Sequence, residues 1–210
     1  MTEKRITFIS SENKLEGILY EPEESDNIVS VVLHPHPLYG GSMNNNVVNA
    51  VCDILYKNGL GALKFNVHGV GRSTGNFEGF SKAHKDVKNS IIFLRELYDN
   101  IGFIGYSWGS YAGLKALYND NTIKFLVGIS IPVSLWNYKF LTKEKSKQPK
   151  FFIVGKYDNF CDLNRFKKIF EKIPIENKAY KVISTDHFYV GVEEEAANYV
   201  LDFINNHVNK

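Results

Sequence analysis

The chain has 210 residues and a mass of 24.0 kDa, which is enough for one domain with a large core. Apolar residues make up 44% of the sequence and charged residues 23%, a balance that excludes extensive disorder. The formal net charge is only +2, from 25 basic and 23 acidic residues. This charge gives no electrostatic reason to expect binding to nucleic acid or to an anionic membrane.

Cysteine content and the N-terminal residues bear on where the protein resides. Cys52 and Cys161 are too few for a disulfide scaffold, and neither belongs to a C-x-x-C pair, so we expect reduced thiols in a cytoplasmic protein. The first residues enter a strand-like segment with no apolar stretch before it, so no secretory signal is expected. No uncharged segment reaches the ~20 apolar residues needed to cross a bilayer, so no membrane span is predicted.

Taken in chain order, the predicted elements begin as strands and continue as strands alternating with helices. The strands are predicted at residues 5–10, 14–20, 28–33, 61–67, 101–105, 123–131, 151–155 and 180–184. The helices are predicted at residues 46–58, 81–98, 108–118, 162–173 and 193–207. Alternation of this kind predicts an α/β fold with a mostly parallel, twisted sheet and helices on both faces. We expect a single domain over residues 1–210, in which residues 132–149 form a short cap-like insertion.

The most informative motif is Gly105-Tyr106-Ser107-Trp108-Gly109, a G-x-S-x-G pattern between a predicted strand and a predicted helix. A turn this tight would project the Ser107 hydroxyl at the C-terminal edge of the sheet. It would also direct the Trp108 N–H, at the start of the helix, toward a developing oxyanion. The alternative is a glycine-rich turn with a buried serine. The strand and helix on either side favour a nucleophile.

A serine nucleophile needs a base and a carboxylate that orients the base. His187 follows the last predicted strand and Asp158 follows the strand before it, so both should lie at the same sheet edge as Ser107. The order serine, aspartate, histidine is the one expected when the nucleophile occupies this turn. Asp162 competes with Asp158 for the orienting role, but its position favours a helix N-cap.

Residues 34–42, His-Pro-His-Pro-Leu-Tyr-Gly-Gly-Ser, predict a rigid loop with exposed amides. We expect its Leu38 N–H to be the second oxyanion donor, with Tyr39 as the alternative. His34 and His36 could suggest a metal site, but no third ligand has suitable spacing. We therefore expect both imidazoles to hydrogen-bond loop backbone, and we predict neither a metal nor a cofactor.

Together these motifs resemble the α/β-hydrolase superfamily over nearly the whole chain. The resemblance is strongest to small hydrolases with an H-P-H-P-x-x-G-G loop, near the dienelactone-hydrolase-like and X-prolyl-peptidase-like branches. Residues 65–73 are similar to that group's F-N-x-R-G-x-G-x-S turn, with His68 in place of the arginine, and residues 186–188 match its D-H-F around the histidine. The resemblance implies a triad of Ser107, Asp158 and His187. It also implies an oxyanion hole formed by the amides of Leu38 and Trp108.

Three functions remain open from the sequence. The first is a serine hydrolase that cleaves a small carboxylic ester or thioester through an acyl-enzyme. The others are a short-peptide amidase or peptidase with the same triad, for which Glu78 and residues 193–195 are weak hints of an amine site, and a non-catalytic binding module on the same fold. A short insertion predicts an open site for a small-molecule substrate, with aromatic side chains as pocket walls. The candidates are Tyr39, Trp136, Tyr138 and Phe188.

Overall fold

A computed structural model describes residues 2–143 and 145–208 of the chain. Over these residues it contains eight strands and five α-helices. The strands are β1 Glu3–Ser10, β2 Asn13–Tyr20, β3 Val29–Leu33, β4 Gly61–Phe65, β5 Ile101–Tyr106, β6 Leu126–Ile129, β7 Lys150–Gly155 and β8 Lys178–Ile183. The helices are α1 Asn46–Lys57, α2 Phe80–Arg95, α3 Trp108–Leu117, α4 Leu163–Glu171 and α5 Glu193–His207.

All eight strands form one sheet in the order β1-β2-β4-β3-β5-β6-β7-β8. β2 runs antiparallel to both β1 and β4, and every other neighbouring pair is parallel. The predicted α/β architecture is therefore confirmed. Because β3 and β5 to β8 are parallel, the loops that follow their C-terminal ends share one edge of the sheet.

The sheet separates two apolar layers, as expected for parallel strands covered on both faces. Along β3, Val31 faces the layer that contains α2, α3 and α4, whereas Val32 faces the layer that contains α1 and α5. The continuous apolar sequence of residues 28–33 follows from this double burial. In α1 and α4, apolar side chains recur every three or four residues, so that each of these helices turns one face to the core. α3 is buried nearly all round.

The predicted boundaries differ most at β6. The prediction covered residues 123–131, but the strand spans only Leu126–Ile129. Before it, the Ile123 N–H donates to Asp120 O in a turn. After it, Ser130 has a positive φ of 53°, which extended backbone does not allow. The apolar residues beyond the strand are buried by loop packing, so their hydrophobicity is not a strand signal.

The insertion at residues 132–149 contains a short 3-10 helix, Lys139–Lys143. It lies beside the sheet edge that carries the loops after β5, β7 and β8. No helix within the described ranges is both long enough and apolar enough to cross a membrane.

Candidate active site

A sharp turn between β5 and α3 places Ser107 at the C-terminal edge of the sheet. Ser107 has φ 54° and ψ −120°, a conformation that L-residues rarely adopt. Two flanking glycines make the turn possible. A Cβ on Gly105 would lie 2.6 Å from Gly109 O, and one on Gly109 would collide with His34 O. The G-x-S-x-G motif therefore brings β5, α3 and the loop after β3 into backbone contact.

The structure brings the three side chains of the predicted triad together. Ser107 Oγ lies 2.8 Å from His187 Nε2, across 80 residues of sequence. On the other side of the imidazole, Nδ1 lies 3.0 Å from Oδ1 and 2.9 Å from Oδ2 of Asp158. A carboxylate can only accept hydrogen bonds. The imidazole therefore carries its proton on Nδ1 and presents the lone pair of Nε2 to the serine.

Asp158 is held in place by two donors besides the imidazole. Phe160 N–H donates to Oδ1 at 2.8 Å, and Ser130 Oγ donates to Oδ2. Burial raises the pKa of Asp158. The hydrogen bond and charge of His187, together with the Ser130 and Phe160 hydrogen bonds, lower it by more, so the net pKa lies below the ordinary value. The carboxylate is therefore ionised at neutral pH.

Other contacts fix the imidazole and settle the role of the competing aspartate. The Tyr106 hydroxyl donates to the backbone oxygen of His187 at 2.6 Å, and the Phe160 ring packs edge-on against the imidazole with centroids 4.7 Å apart. Asp162 instead caps α4, where its side chain accepts from Arg165 N–H at 2.6 Å. Asp162 thus has the capping role that its sequence position predicted.

The two predicted oxyanion donors differ in availability. The Trp108 N–H begins α3, so it has no acceptor within that helix. The Leu38 N–H, in contrast, donates to His36 Nδ1 at 3.2 Å, and Leu38 does not line the cavity beside Ser107. The prediction for Leu38 is therefore not met, because the tight turn at residues 36–40 uses that amide internally. His36 does line the cavity, and its own N–H has no acceptor among the residues that the structure describes.

Both loop histidines bind backbone, as predicted. His34 is fully buried, with Nδ1 2.7 Å from Pro35 O and Nε2 accepting from Val67 N–H at 3.3 Å. Burial lowers the pKa of His34 to about 4, which keeps it neutral. With both ring nitrogens occupied, His34 has no lone pair left for a metal. Within residues 2–143 and 145–208, no group of three or more potential ligands could hold a metal ion.

A cavity of about 530 Å³ opens beside Ser107 and His187. It is bounded mainly by aromatic, aliphatic and glycine residues, and none of the described residues that line it is an aspartate, glutamate, lysine or arginine. Glu78 and Glu193, the sequence hints for an amine site, lie elsewhere: Glu78 accepts from Lys82, and Glu193 accepts from Asn46. This cavity thus suits a neutral ligand of modest size.

Three of the four predicted pocket residues line this cavity, namely Tyr39, Trp136 and Phe188. Tyr39 and Phe188 are exposed at the rim. Tyr138 does not line it. Its side chain is only 1% exposed and packs against Tyr111, with its hydroxyl 3.3 Å from Ser110 Oγ. The short insertion folds back over α3, so an aromatic residue expected in the wall lies instead in the core.

Two features of the site were not predicted. Ser130 contacts both Asp158 and His187, but its position was assigned to the interior of a strand, which concealed it. The fact that it follows β6, as Asp158 follows β7, could have identified it.

His68, which replaces an arginine of the resembled motif, has Nδ1 2.5 Å from the buried Asp86 carboxylate and accepts from Glu78 N–H through Nε2. The loop after β4 therefore retains a buried polar anchor to α2.

Comparison with known proteins gave the following similarities. No family model matches the chain. An uncharacterised protein, RP471, from Rickettsia prowazekii (strain Madrid E) is 28% identical over 209 residues, which cover 95% of this chain and 88% of that protein.

Solved structures are similar over nearly the full length. An alpha-beta serine hydrolase homologue from Coxiella burnetii is 25% identical, with a TM-score of 0.85 over 96% of this chain and 97% of that chain. The esterase Pf2001 from Pyrococcus furiosus is 20% identical, with a TM-score of 0.86 over 99% of this chain and 92% of that chain. In sheet order, in strand direction and in overall similarity to these structures, the chain has the α/β-hydrolase fold and is similar to an α/β serine hydrolase homologue.

Proposed function

We propose that this protein is a serine hydrolase that cleaves small, uncharged carboxylic esters or thioesters through an acyl-enzyme. The observation that carries the proposal is the continuous chain of contacts from Ser107 Oγ through His187 to Asp158, with no contact longer than 3.0 Å, at the wall of an open cavity. Nucleophile, base and orienting acid are thus in hydrogen-bond reach before any substrate binds.

In the first half-reaction, His187 Nε2 accepts the Ser107 proton as Oγ bonds to the carbonyl carbon. The resulting oxyanion is stabilised by the Trp108 N–H and by a second amide of the loop after β3, for which the free His36 N–H is the candidate. The carbon–oxygen or carbon–sulfur bond then breaks, and the leaving alcohol or thiol takes the proton from the imidazolium. Asp158 stabilises the transient positive charge on the ring.

In the second half-reaction, a water molecule gives a proton to His187 Nε2 and attacks the acyl carbon. Collapse of the second tetrahedral intermediate returns the proton to Ser107 Oγ and releases the carboxylic acid. The cycle needs no group beyond these side chains and amides, since each proton removed is given back.

In the part of the chain that the structure describes, no charged side chain lines the cavity, and this favours an ester over a short peptide. An exopeptidase has to bind a charged terminal amine or carboxylate, and burying either without a partner is costly. A neutral ester leaves no such charge unpaired in this cavity. The volume of about 530 Å³ suits a short-chain or single-ring acyl group better than a long fatty acyl chain.

The direct test combines labelling and turnover. We expect a fluorophosphonate probe to modify Ser107, as located by mass spectrometry, and Ser107→Ala to lose both labelling and about 10⁴–10⁶-fold in kcat on 4-nitrophenyl esters. Ser90→Ala is a matched control, because Ser90 is also buried but its hydroxyl binds only Val87 O in its own helix. Labelling at another residue, or near-normal turnover by Ser107→Ala, would reject the proposal.

A substrate panel tests the finer part. We expect turnover to be highest for acetyl to octanoyl esters, to fall for palmitoyl esters, and to be far lower for aminoacyl arylamides. Arylamide hydrolysis equal to ester hydrolysis would instead support the peptidase alternative. A folded protein that neither labels nor hydrolyses any ester would support a non-catalytic binding module.

A further inference from the structure

Ser130 occupies an unusual position directly behind the imidazole. It follows β6, its side chain is fully buried, and its hydroxyl donates to Asp158 Oδ2. The same oxygen lies 2.9 Å from His187 Nδ1. One hydroxyl therefore contacts both the acid and the base of the proposed triad.

The backbone at this residue is strained. Among the described residues, four that are not glycine have a positive φ: Ser11, Ser107, Ser130 and Tyr189. Ser11 lies in the exposed turn between β1 and β2, whereas Ser107 and Ser130 contact the imidazole of His187 and Tyr189 follows His187 by two residues. Glycine would adopt the Ser130 backbone, with φ 53°, at no steric cost. A buried serine kept in such a conformation suggests that its side chain is needed there.

The hydrogen bonds show what that side chain does. Asp158 Oδ1 is held by the Phe160 N–H, and Oδ2 is held by Ser130. The Ser130 N–H in turn donates to Ile153 O of β7 at 2.7 Å, so the hydroxyl is anchored to the strand that precedes Asp158. With both oxygens held, the carboxylate cannot rotate away from Nδ1. Without Ser130, one oxygen would be buried with only the imidazole as partner.

We propose that Ser130 is a positioning residue for the triad: its hydroxyl orients the Asp158 carboxylate and flanks His187 Nδ1, so that the imidazole keeps its proton on Nδ1 and its Nε2 lone pair toward Ser107. This inference rests on the proposed hydrolase function. It adds a fourth side chain, which acts through Asp158 and His187 and does not touch the substrate.

Two substitutions isolate the hydroxyl. Ser130→Ala removes it and keeps the Cβ, whereas Ser130→Gly removes it and also relieves the positive φ. We expect both variants to lower kcat about tenfold, equivalent to ~1.4 kcal/mol, with KM changed less than twofold. With one donor fewer, the carboxylate should attract the imidazolium more strongly, so the acidic limb of the kcat/KM profile should move to higher pH.

Matched controls separate this effect from general changes in the fold. Ser11→Gly makes the same replacement at a positive φ of 54° far from the site, and Ser90→Ala makes the same replacement at a buried serine. We expect both controls to keep wild-type kcat and pH dependence. Unchanged kcat and an unchanged acidic limb in both Ser130 variants would overturn the inference. So would a defect in Ser130→Ala that is absent from Ser130→Gly, because backbone shape and not the hydroxyl would then matter.

An NMR titration of the His187 ring keeps this test distinct from that of the proposed function. If the wild-type protein neither labels with fluorophosphonate nor hydrolyses esters, the hydrolase proposal fails. The titration midpoint and the Nδ1–H resonance of His187 can still be compared between wild type and Ser130→Gly. A midpoint and resonance identical in the two proteins would overturn the positioning role without any measurement of activity.

Discussion

Replacement of Ser107 by glycine should relieve backbone strain at the nucleophile while abolishing the proposed activity. The residue has φ 54° and ψ −120°, which glycine adopts freely and other residues adopt only under strain. The same strained turn presents the hydroxyl 2.8 Å from His187 Nε2. Stability and activity therefore make opposite demands on this one position.

The size of the effect follows from comparing Ser107→Gly with Ser107→Ala. Both variants lose the hydroxyl and its bond to His187, so that loss cancels between them. Backbone strain of this kind costs about 1–3 kcal/mol. The extra freedom of glycine in the unfolded chain offsets about 0.4–1 kcal/mol of the gain. The glycine variant should thus be more stable than the alanine variant by about 1 kcal/mol, which corresponds to ~2–4 °C in Tm for a chain of this length.

The assay is thermal unfolding of the two variants by calorimetry, with ester turnover measured in parallel. We expect the glycine variant to unfold at the higher temperature and neither variant to turn over substrate. Equal Tm values, or a lower Tm for Ser107→Gly, would refute the argument that the turn stores strain at the nucleophile.

Three further predictions concern the acid, the cavity wall and pH. Asp158→Asn should lower kcat about 10³–10⁴-fold with little change in KM, because an amide cannot stabilise the imidazolium; a loss below tenfold in steady-state assays would contradict the orienting role. Trp136→Ala should raise KM for octanoyl esters about tenfold, since Trp136 lines the cavity. Tyr138→Phe should leave KM unchanged, because Tyr138 lies in the core. Equal effects of the two substitutions on KM would place both side chains in the cavity wall. His34 is buried and neutral, and its pKa is about 4 against 6.5 for an ordinary histidine. Between these two pH values the unfolded chain binds more protons than the folded protein. The free energy of unfolding should therefore fall as pH decreases through this window, by up to roughly 3 kcal/mol. Urea unfolding at pH 7 and pH 4.5 measures this fall in stability. The fall should be smaller in His34→Gln, and an equally steep fall in that variant would mean that other groups cause it.

The sheet and the three side chains at its edge were predictable because their signals are local. The apolar residues 28–33 and the G-x-S-x-G turn need only their own neighbours to be recognised. Asp158 and His187 could then be placed by a single topological rule, that parallel strands end at the same edge. The capping role of Asp162 followed in the same way from its place before a helix.

The features that sequence could not supply depend on contacts between distant segments. Tyr138 is as aromatic as Trp136 and two residues away, and only the path of the insertion over α3 places one in the core and the other at the cavity. The Leu38 amide satisfies an imidazole nitrogen of its own loop, a pairing that sequence spacing does not reveal. Ser130 was missed because apolar residues on both sides of it resemble a continuing strand.

The uncharged lining of the cavity has a consequence for how the protein would discriminate between substrates. With no ion pair to make or break, the ranking of substrates would depend on the area of hydrocarbon removed from water, about fourfold per methylene group until the cavity is full. Such a preference is graded, and it would be nearly insensitive to ionic strength because no long-range field attracts one substrate over another. A protein of this kind would act on a series of related neutral molecules, and its selectivity would be set by size.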